Sequence, residues 1–259
     1  AMLGLALLIS AVIEVLVTSK RTRHLFFTIL VALLVGWHNY NALDFKSAWE
    51  KQTRLYEQLV WRAPSIKPGT AIVASEEILG YMGDYPTSYG ITTMYRSSKT
   101  GNVPLWFFAR SENFNFADDP ANGQPQLGAE RGLVTFRGKP EDAIYITYEP
   151  ENKQCLWVLR QQDAEYRYLP QAIKEAAQHS NYKNIQPVEA ESNLYHIIVP
   201  ENKNTWCYFY QKADLARQLG NPEKVLSLWQ EAQDQGFRPD NGFEYIPFIE
   251  ASAQLGKWE

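Results

Sequence analysis

The sequence predicts a membrane-anchored α/β or α+β ectodomain: two transmembrane helices, a mixed sheet with helices, and a C-terminal α-hairpin. Three observations predict it. Two apolar stretches open the chain, residues 2–18 and 25–37, the second with a softer tail over 38–45. Strand-like runs bounded by turn residues fill the middle. From Thr205 onward, helix starts and stops follow one another closely. The implied divisions are 1–43 (two spans), 44–200 (α/β domain) and 201–259 (helical segment).

Spanning a bilayer takes about 20 mostly apolar residues, with about 17 as the minimum. Residues 2–18 just meet this; the second stretch meets it with its tail. Between them lie Lys20, Arg21, Arg23 and His24. Cytoplasmic loops carry the Lys/Arg excess, so this turn is expected in the cytoplasm and residues from about 45 onward outside it. Trp37, Tyr40, Phe45 and Trp49 follow as an interfacial aromatic belt would. A signal peptide fits poorly, because no positive charge precedes Glu14 and a second apolar run follows at once. Ala1 precedes Met2 and the N-terminus falls outside, so the spans are expected to be the last two of a longer multi-pass protein. Glu14 inside the first span either faces protein or a water-filled cavity, or reaches the headgroups.

Setting aside Lys20, Arg21, Arg23 and Glu14 leaves 22 basic and 28 acidic residues, a net charge of −6. An acidic ectodomain without basic clusters speaks against nucleic acid as a partner. The expected partners are the lipid bilayer, upstream transmembrane helices of the same protein, and a protein at the C-terminal helices.

Residues 44–61 carry Phe45, Trp49, Tyr56, Leu59 and Val60 near the 3.6 period, which predicts a helix. Ala63-Pro64 and Lys67-Pro68-Gly69 end it. A short strand follows at 70–74, and Ser75, Glu76 and Glu77 can open a helix with acids at its positive end. Further strands are expected at 104–109, 132–136, 142–148, 154–159 and 194–199. The runs 143–148 and 155–159, flanking Glu149-Pro150-Glu151-Asn152, read as a hairpin. Residues 111–131 read as the longest loop, and 170–179 as a helix with proline at its first position. Then 205–219 and 222–235 form two helices: Gly220 stops the first, Asn221 caps the second and Pro222 enters it. Residues 243–255 are a third, closed by Gly256.

Ala216-Arg217-Gln218-Leu219-Gly220 recurs as Ser252-Ala253-Gln254-Leu255-Gly256, 36 residues on. With Ala213, Gly220, Trp229 and Ala232 at the small, glycine, aromatic and alanine positions, the segment resembles a tetratricopeptide hairpin. It departs at Val225 and around 236–240. The resemblance implies either a hairpin packed on the core or a partner-binding groove, with Trp229, Tyr245, Phe248 and Trp258 as interaction residues.

A wider resemblance rests on four segments. They are Leu59-Val60-Trp61-Arg62-Ala63-Pro64 with Lys67-Pro68-Gly69-Thr70, Cys155-Leu156-Trp157-Val158-Leu159, the run from Trp206 to Ala216, and Pro247-Phe248-Ile249-Glu250. Together they resemble the C-terminal region of uncharacterised bacterial multi-pass membrane proteins, some with the plan of polytopic glycosyltransferases that take sugars from lipid carriers. The resemblance implies a non-catalytic part supporting a membrane domain. In such enzymes the catalytic carboxylate lies in an early external loop, so no catalytic residue is carried over.

Direct chemistry is sparse. His24, His38, His179 and His196 are scattered without metal-ligand spacing, and no nucleophile elbow or phosphate loop occurs. No metal or cofactor is called for. Asp118-Asp119 reads as solvated loop, and His196 as a structural histidine. Tyr81, Tyr85 and Tyr89, with Asp84 beside them, can stack against sugar rings or pack a core; Pro86 is expected to break any helix they share. Cys155 and Cys207 are either bonded, closing a loop of about 50 residues and adding about 4 kcal/mol, or two buried thiols. Three classes of function remain: an external domain assisting a glycosyltransferase-like protein, a structural or assembly subunit, and a carbohydrate-acting α/β enzyme.

Overall fold

A proline–glycine turn starts the β layer. The Thr70 N–H donates to the Lys67 carbonyl, with Gly69 at φ 78°, as a type II turn with proline second requires. The computed structural model describes residues 2–74, 78–95, 105–109, 115–118, 125–131, 134–187 and 202–257. It is a mixed α+β chain in two compact units dividing between Glu50 and Lys51.

The first unit holds α1 (Met2–Leu16) and most of α2 (Lys20–Arg62). At 15 residues and about 1.5 Å per residue, α1 falls short of the roughly 30 Å hydrocarbon core. Among the described residues, only α2 is long and apolar enough to cross a membrane. Two expectations change here. Lys20 to His24 form the first turn of α2 instead of a connecting turn, since Lys and Arg are good helix formers. The helix expected over 44–61 is the continuation of α2, because nothing between Trp37 and Phe45 breaks a helix.

The second unit is built on a four-stranded sheet. Its strands are β2 (Ala71–Ala74), β3 (Trp106–Phe108), β7 (Ile144–Thr147) and β8 (Trp157–Val158), ordered β3-β2-β7-β8. β2 runs parallel to β3 and β7, and β8 closes the expected hairpin antiparallel to β7. Every residue of these strands is buried, as a parallel sheet covered on both faces requires. Alternation sorts them. Ile72, Ala74, Phe107, Ile144, Ile146 and Val158 face Leu55, Leu59 and Val60 of α2 and Ile91 of α3 (Asp84–Met94). Ala71, Val73, Trp106, Phe108, Tyr145 and Trp157 face the other way. There they meet Ile173 and Ala177 of α4 (Gln171–His179) and Tyr210 of α5 (Trp206–Gln218).

The stretch 111–131, expected as a loop, contains β4 (Asn115–Asp118) and β5 (Pro125–Arg131), which with β6 (Val134–Gly138) form an antiparallel sheet. Its polar composition hid the strands. A two-stranded ladder joins β1 (Ser65–Ile66) to β9 (Ile185–Gln186). Pro86 does not break α3, because it sits in the first turn, where no intrahelical N–H is needed.

At the C-terminal end, α5 packs against α6 (Pro222–Asp234) and α7 (Ile246–Gln254) around Phe209, Ala213, Val225, Leu228, Ala232, Phe248 and Ala251. Thr205 and Asn221 cap α5 and α6 through their side chains, and Gly220 takes φ 68° between them. A 3-10 turn, Gly242–Tyr245, precedes α7 where one longer helix was expected. The strand expected at 194–199 with His196, the acids Glu76 and Glu77, Asp119 and Trp258 lie outside the described residues.

Gly138 marks where the two sheets approach. A methyl there would lie 2.6 Å from Cζ of buried Phe136 and 3.0 Å from the Gly69 carbonyl oxygen. Gly138→Ala should therefore cost about 1–3 kcal/mol by overpacking. Urea denaturation of the detergent-solubilised chain measures it; an unchanged midpoint would show that the strands shift freely.

Candidate functional site

The densest polar chemistry lies where the C-terminal helices meet the sheet. Arg62, the last residue of α2, is 0% exposed. Its Nε donates to Asp214 Oδ2 at 2.5 Å and its Nη1 to Gln218 Oε1 at 2.8 Å. Asp214, 2% exposed, also pairs with Arg217 one turn along α5. Arg217 reaches Glu250 of α7 at 3.4 Å, and Arg160 contacts Glu250 at 3.3 Å and Asp163 at 3.0 Å. The Tyr166 hydroxyl donates to Glu250 Oε1 at 2.8 Å. Three guanidinium groups thus meet three carboxylates. A buried charge without a partner is very costly, so this matching is what permits burial.

Burial by itself would raise the Asp214 carboxyl, but Arg217, Arg62 and Arg160 outweigh it and hold the group at about 2. Asp163 goes the other way: burial raises it, and Arg160 only partly offsets this. Beside the cluster, a small cleft of about 30 Å³ is lined by Trp157, Asp163, Tyr166, Arg217 and Phe243 among others. That is room for about two water molecules and far short of a small-molecule site.

A second polar knot sits deeper. Glu244, 0% exposed, accepts hydrogen bonds from the Cys155 N–H at 2.8 Å and from the indoles of Trp206 at 2.5 Å and Trp157 at 3.4 Å. Beside it Cys155 and Cys207 are bonded to each other, 52 positions apart. Leu156 completes the knot: its N–H donates to Gln58 Oε1 at 2.7 Å, and its carbonyl accepts from Gln211 Nε2 at 2.6 Å.

The aromatic residues expected to form sites are placed differently. Tyr85 and Tyr89 stack edge-on at 4.7 Å, and with Tyr81 they are 44%, 39% and 51% exposed. They are a surface group, not core. Asp84 does not face them as a free acid, because its Oδ1 accepts the Ala109 N–H at 2.7 Å and ties α3 to the end of β3. Phe248, expected on a docking face, is 4% exposed and packs 4.8 Å from Trp229 and 5.6 Å from Trp206. It is interior, because α7 turns its apolar face onto α5 and α6. Trp229 and Tyr245 meet at 5.7 Å and remain partly exposed. Glu14 lies 3.6 Å from Arg23 in the first unit. Among the described residues, no group of three or more His, Cys, Asp or Glu side chains is placed to hold a metal.

Neither the cluster nor Glu244 stands out in the sequence. The pairs Arg160/Asp163 and Asp214/Arg217 are at i, i+3, a legible hint. Arg62 behind Leu59-Val60-Trp61, and Glu250 within an apolar turn, are charges at positions a helix would bury. No protein-family model, curated protein or solved structure matches the chain.

Asp214→Asn should cost about 3–5 kcal/mol at neutral pH, since it leaves two buried guanidinium groups underpaired. The sign of the pH dependence follows from a depressed carboxyl. Its contribution is complete above the ordinary value of 3.8 and is lost as pH falls towards about 2. The Asp214→Asn substitution should flatten that acid limb in urea titrations between about pH 4 and 2; an identical limb would show that Asp214 is not its source. Tyr85→Ala, by contrast, should change stability by less than about 1 kcal/mol.

Proposed function

We propose that this chain is the membrane-anchored, extracytoplasmic part of a larger multi-pass membrane protein. It supports a glycosyltransferase-like membrane domain and is not itself the site of chemistry. The observation that carries the reading is α2. Leu25, Phe26, Ile29, Leu33, Leu34 and Trp37 are each more than half exposed along its apolar part. An apolar surface of that extent is covered by lipid or by other membrane helices. Lys20, Arg21 and Arg23 at its start favour a cytoplasmic N-terminal end and an extracytoplasmic second unit. α1, with Glu14 beside Arg23, acts as a second apolar helix that the rest of the membrane domain completes.

The second unit suits a supporting role. Its buried acids are matched to guanidinium groups or N–H donors, which makes a rigid scaffold. The α5–α6 pair is read as tetratricopeptide-like, with buried Ala213 and Ala232 and the left-handed Gly220 at the small positions. Trp229 and Tyr245 are then the edge available to a protein partner. The link to glycosyl transfer rests on the sequence resemblance of the segments around Arg62, Cys155, Trp206 and Pro247.

Cysteine labelling tests the topology, since both native cysteines are bonded. Tyr168→Cys, at a side chain 82% exposed, should react with a membrane-impermeant maleimide in intact spheroplasts. Thr22→Cys should react only after permeabilisation. The reverse pattern would invert the topology, and recovery of the chain in the carbonate-washed soluble fraction would end the membrane reading.

A further inference from the structure

The Cys155–Cys207 bond is asymmetric in its surroundings. Cys155 is 0% exposed just ahead of β8, whereas Cys207 is only partly buried, as the second residue of α5. Two features flank the pair. Cys207 stands in the first turn of α5, at the positive end of that helix, with Thr205 Oγ1 capping the Tyr208 N–H at 3.3 Å. A thiolate released there is stabilised by that helix end. Glu244 lies on the other sulfur: its Oε2 is 3.5 Å from Cys155 Sγ. A bonded sulfur carries no proton, so this approach is simple contact in the oxidised chain. Once the bond opens, the same carboxyl is within reach of the Cys155 sulfur for proton transfer.

We propose that Cys155–Cys207 is an exchangeable disulfide, opened by a dithiol reductant at Cys207, with Glu244 as the proton carrier for Cys155. One thiolate of the reductant attacks Cys207 Sγ, on the less buried of the two cysteines. The Cys155–Cys207 bond breaks and its electron pair leaves on Cys155, which takes the proton of the Glu244 carboxyl. The reductant's second thiolate then attacks its own sulfur in the mixed disulfide and releases Cys207 as a thiolate. Solvent protonates Cys207 and Glu244, replacing the two protons that the dithiol gave up on ionising. The dithiol is oxidised to its disulfide by two electrons, and the cysteine pair is reduced by the same two.

Burial pushes the Glu244 carboxyl up, towards the protonated form the first step uses, against the opposing pull of its three N–H donors. Asp240 acts in the same direction as burial. Opening the bond removes the covalent link between α5 and the strand edge at β8. The glutamine bonds to Leu156 and the ion cluster then hold the helical end without it. In an oxidising compartment the bonded form is the resting state, and the dithiol that reaches it sets how firmly the helical end is fixed.

Dithiothreitol acting on the full chain in detergent tests this, with opening read by alkylation and mass spectrometry. The bond should open under native conditions, and a monothiol probe should leave its adduct on Cys207. Glu244→Gln, which keeps the size and one acceptor oxygen, should open at least about tenfold more slowly. Resistance until guanidinium unfolds the chain, or an adduct on Cys155, would overturn the proposal using the unmodified protein. An unchanged rate in a folded Glu244→Gln chain would remove Glu244 from it.

Discussion

The Arg62–Asp214 pair is the contact on which the second unit depends. It joins the last turn of α2 to the middle of α5, 152 positions away, with both charges out of water. A buried pair of this kind adds little over a well-packed apolar contact. What it adds is exclusivity. Any arrangement that separates α5 from the end of α2 strands two or three charges in the interior, which costs far more than a lost apolar contact. Arg217, Arg160, Asp163 and Glu250 extend the same constraint to α7 and to the turn after β8.

The need for such a constraint can be traced to the sheet. β8 has only two ladder residues and pairs on one side with β7, so the backbone leading into it must find partners elsewhere. Gln58 from α2, Gln211 from α5 and Glu244 from the turn before α7 supply them. Two helices and a 3-10 turn therefore satisfy one strand entrance. The helical end is consequently part of the sheet's own hydrogen-bond accounting, and the disulfide at Cys155 lies at the same point. This explains why the second unit runs from Lys51 to the C-terminal helices without a further division at residue 200.

Much of this architecture is legible in the sequence, for identifiable reasons. The run 143–148 alternates faces and is followed by a Pro-Glu-Asn turn, so β7 and its hairpin can be read directly. Gly220-Asn221-Pro222 punctuates α5 and α6 through local backbone chemistry, which a sequence displays. The strands β4 and β5 are not legible, because polar residues, glycine and proline break their alternation, and Phe116 and Leu127 are their only large apolar residues. α3 is obscured by Pro86, whose effect depends on whether it stands in the first turn or the interior. The ion cluster is least legible of all. Its two i, i+3 pairs look like surface pairs until tertiary packing brings Arg62 and Glu250 to them. Tyr81, Tyr85 and Tyr89 show the converse: aromatic content suggests core, and only the packing of α3 through Ile91 and Met94 turns them outward.

The helical end and the sheet should open together, because the Arg62–Asp214 pair and the glutamine bonds to Leu156 bind them. Native-state hydrogen exchange on the full chain in detergent measures this directly. Amides in the Leu55–Arg62 turns, in β7 and in α5 should exchange with one common opening free energy, equal to that of global unfolding. Exchange of α5, α6 and α7 at a distinctly lower free energy, with β7 still protected, would contradict the account and make the helical end a separate domain.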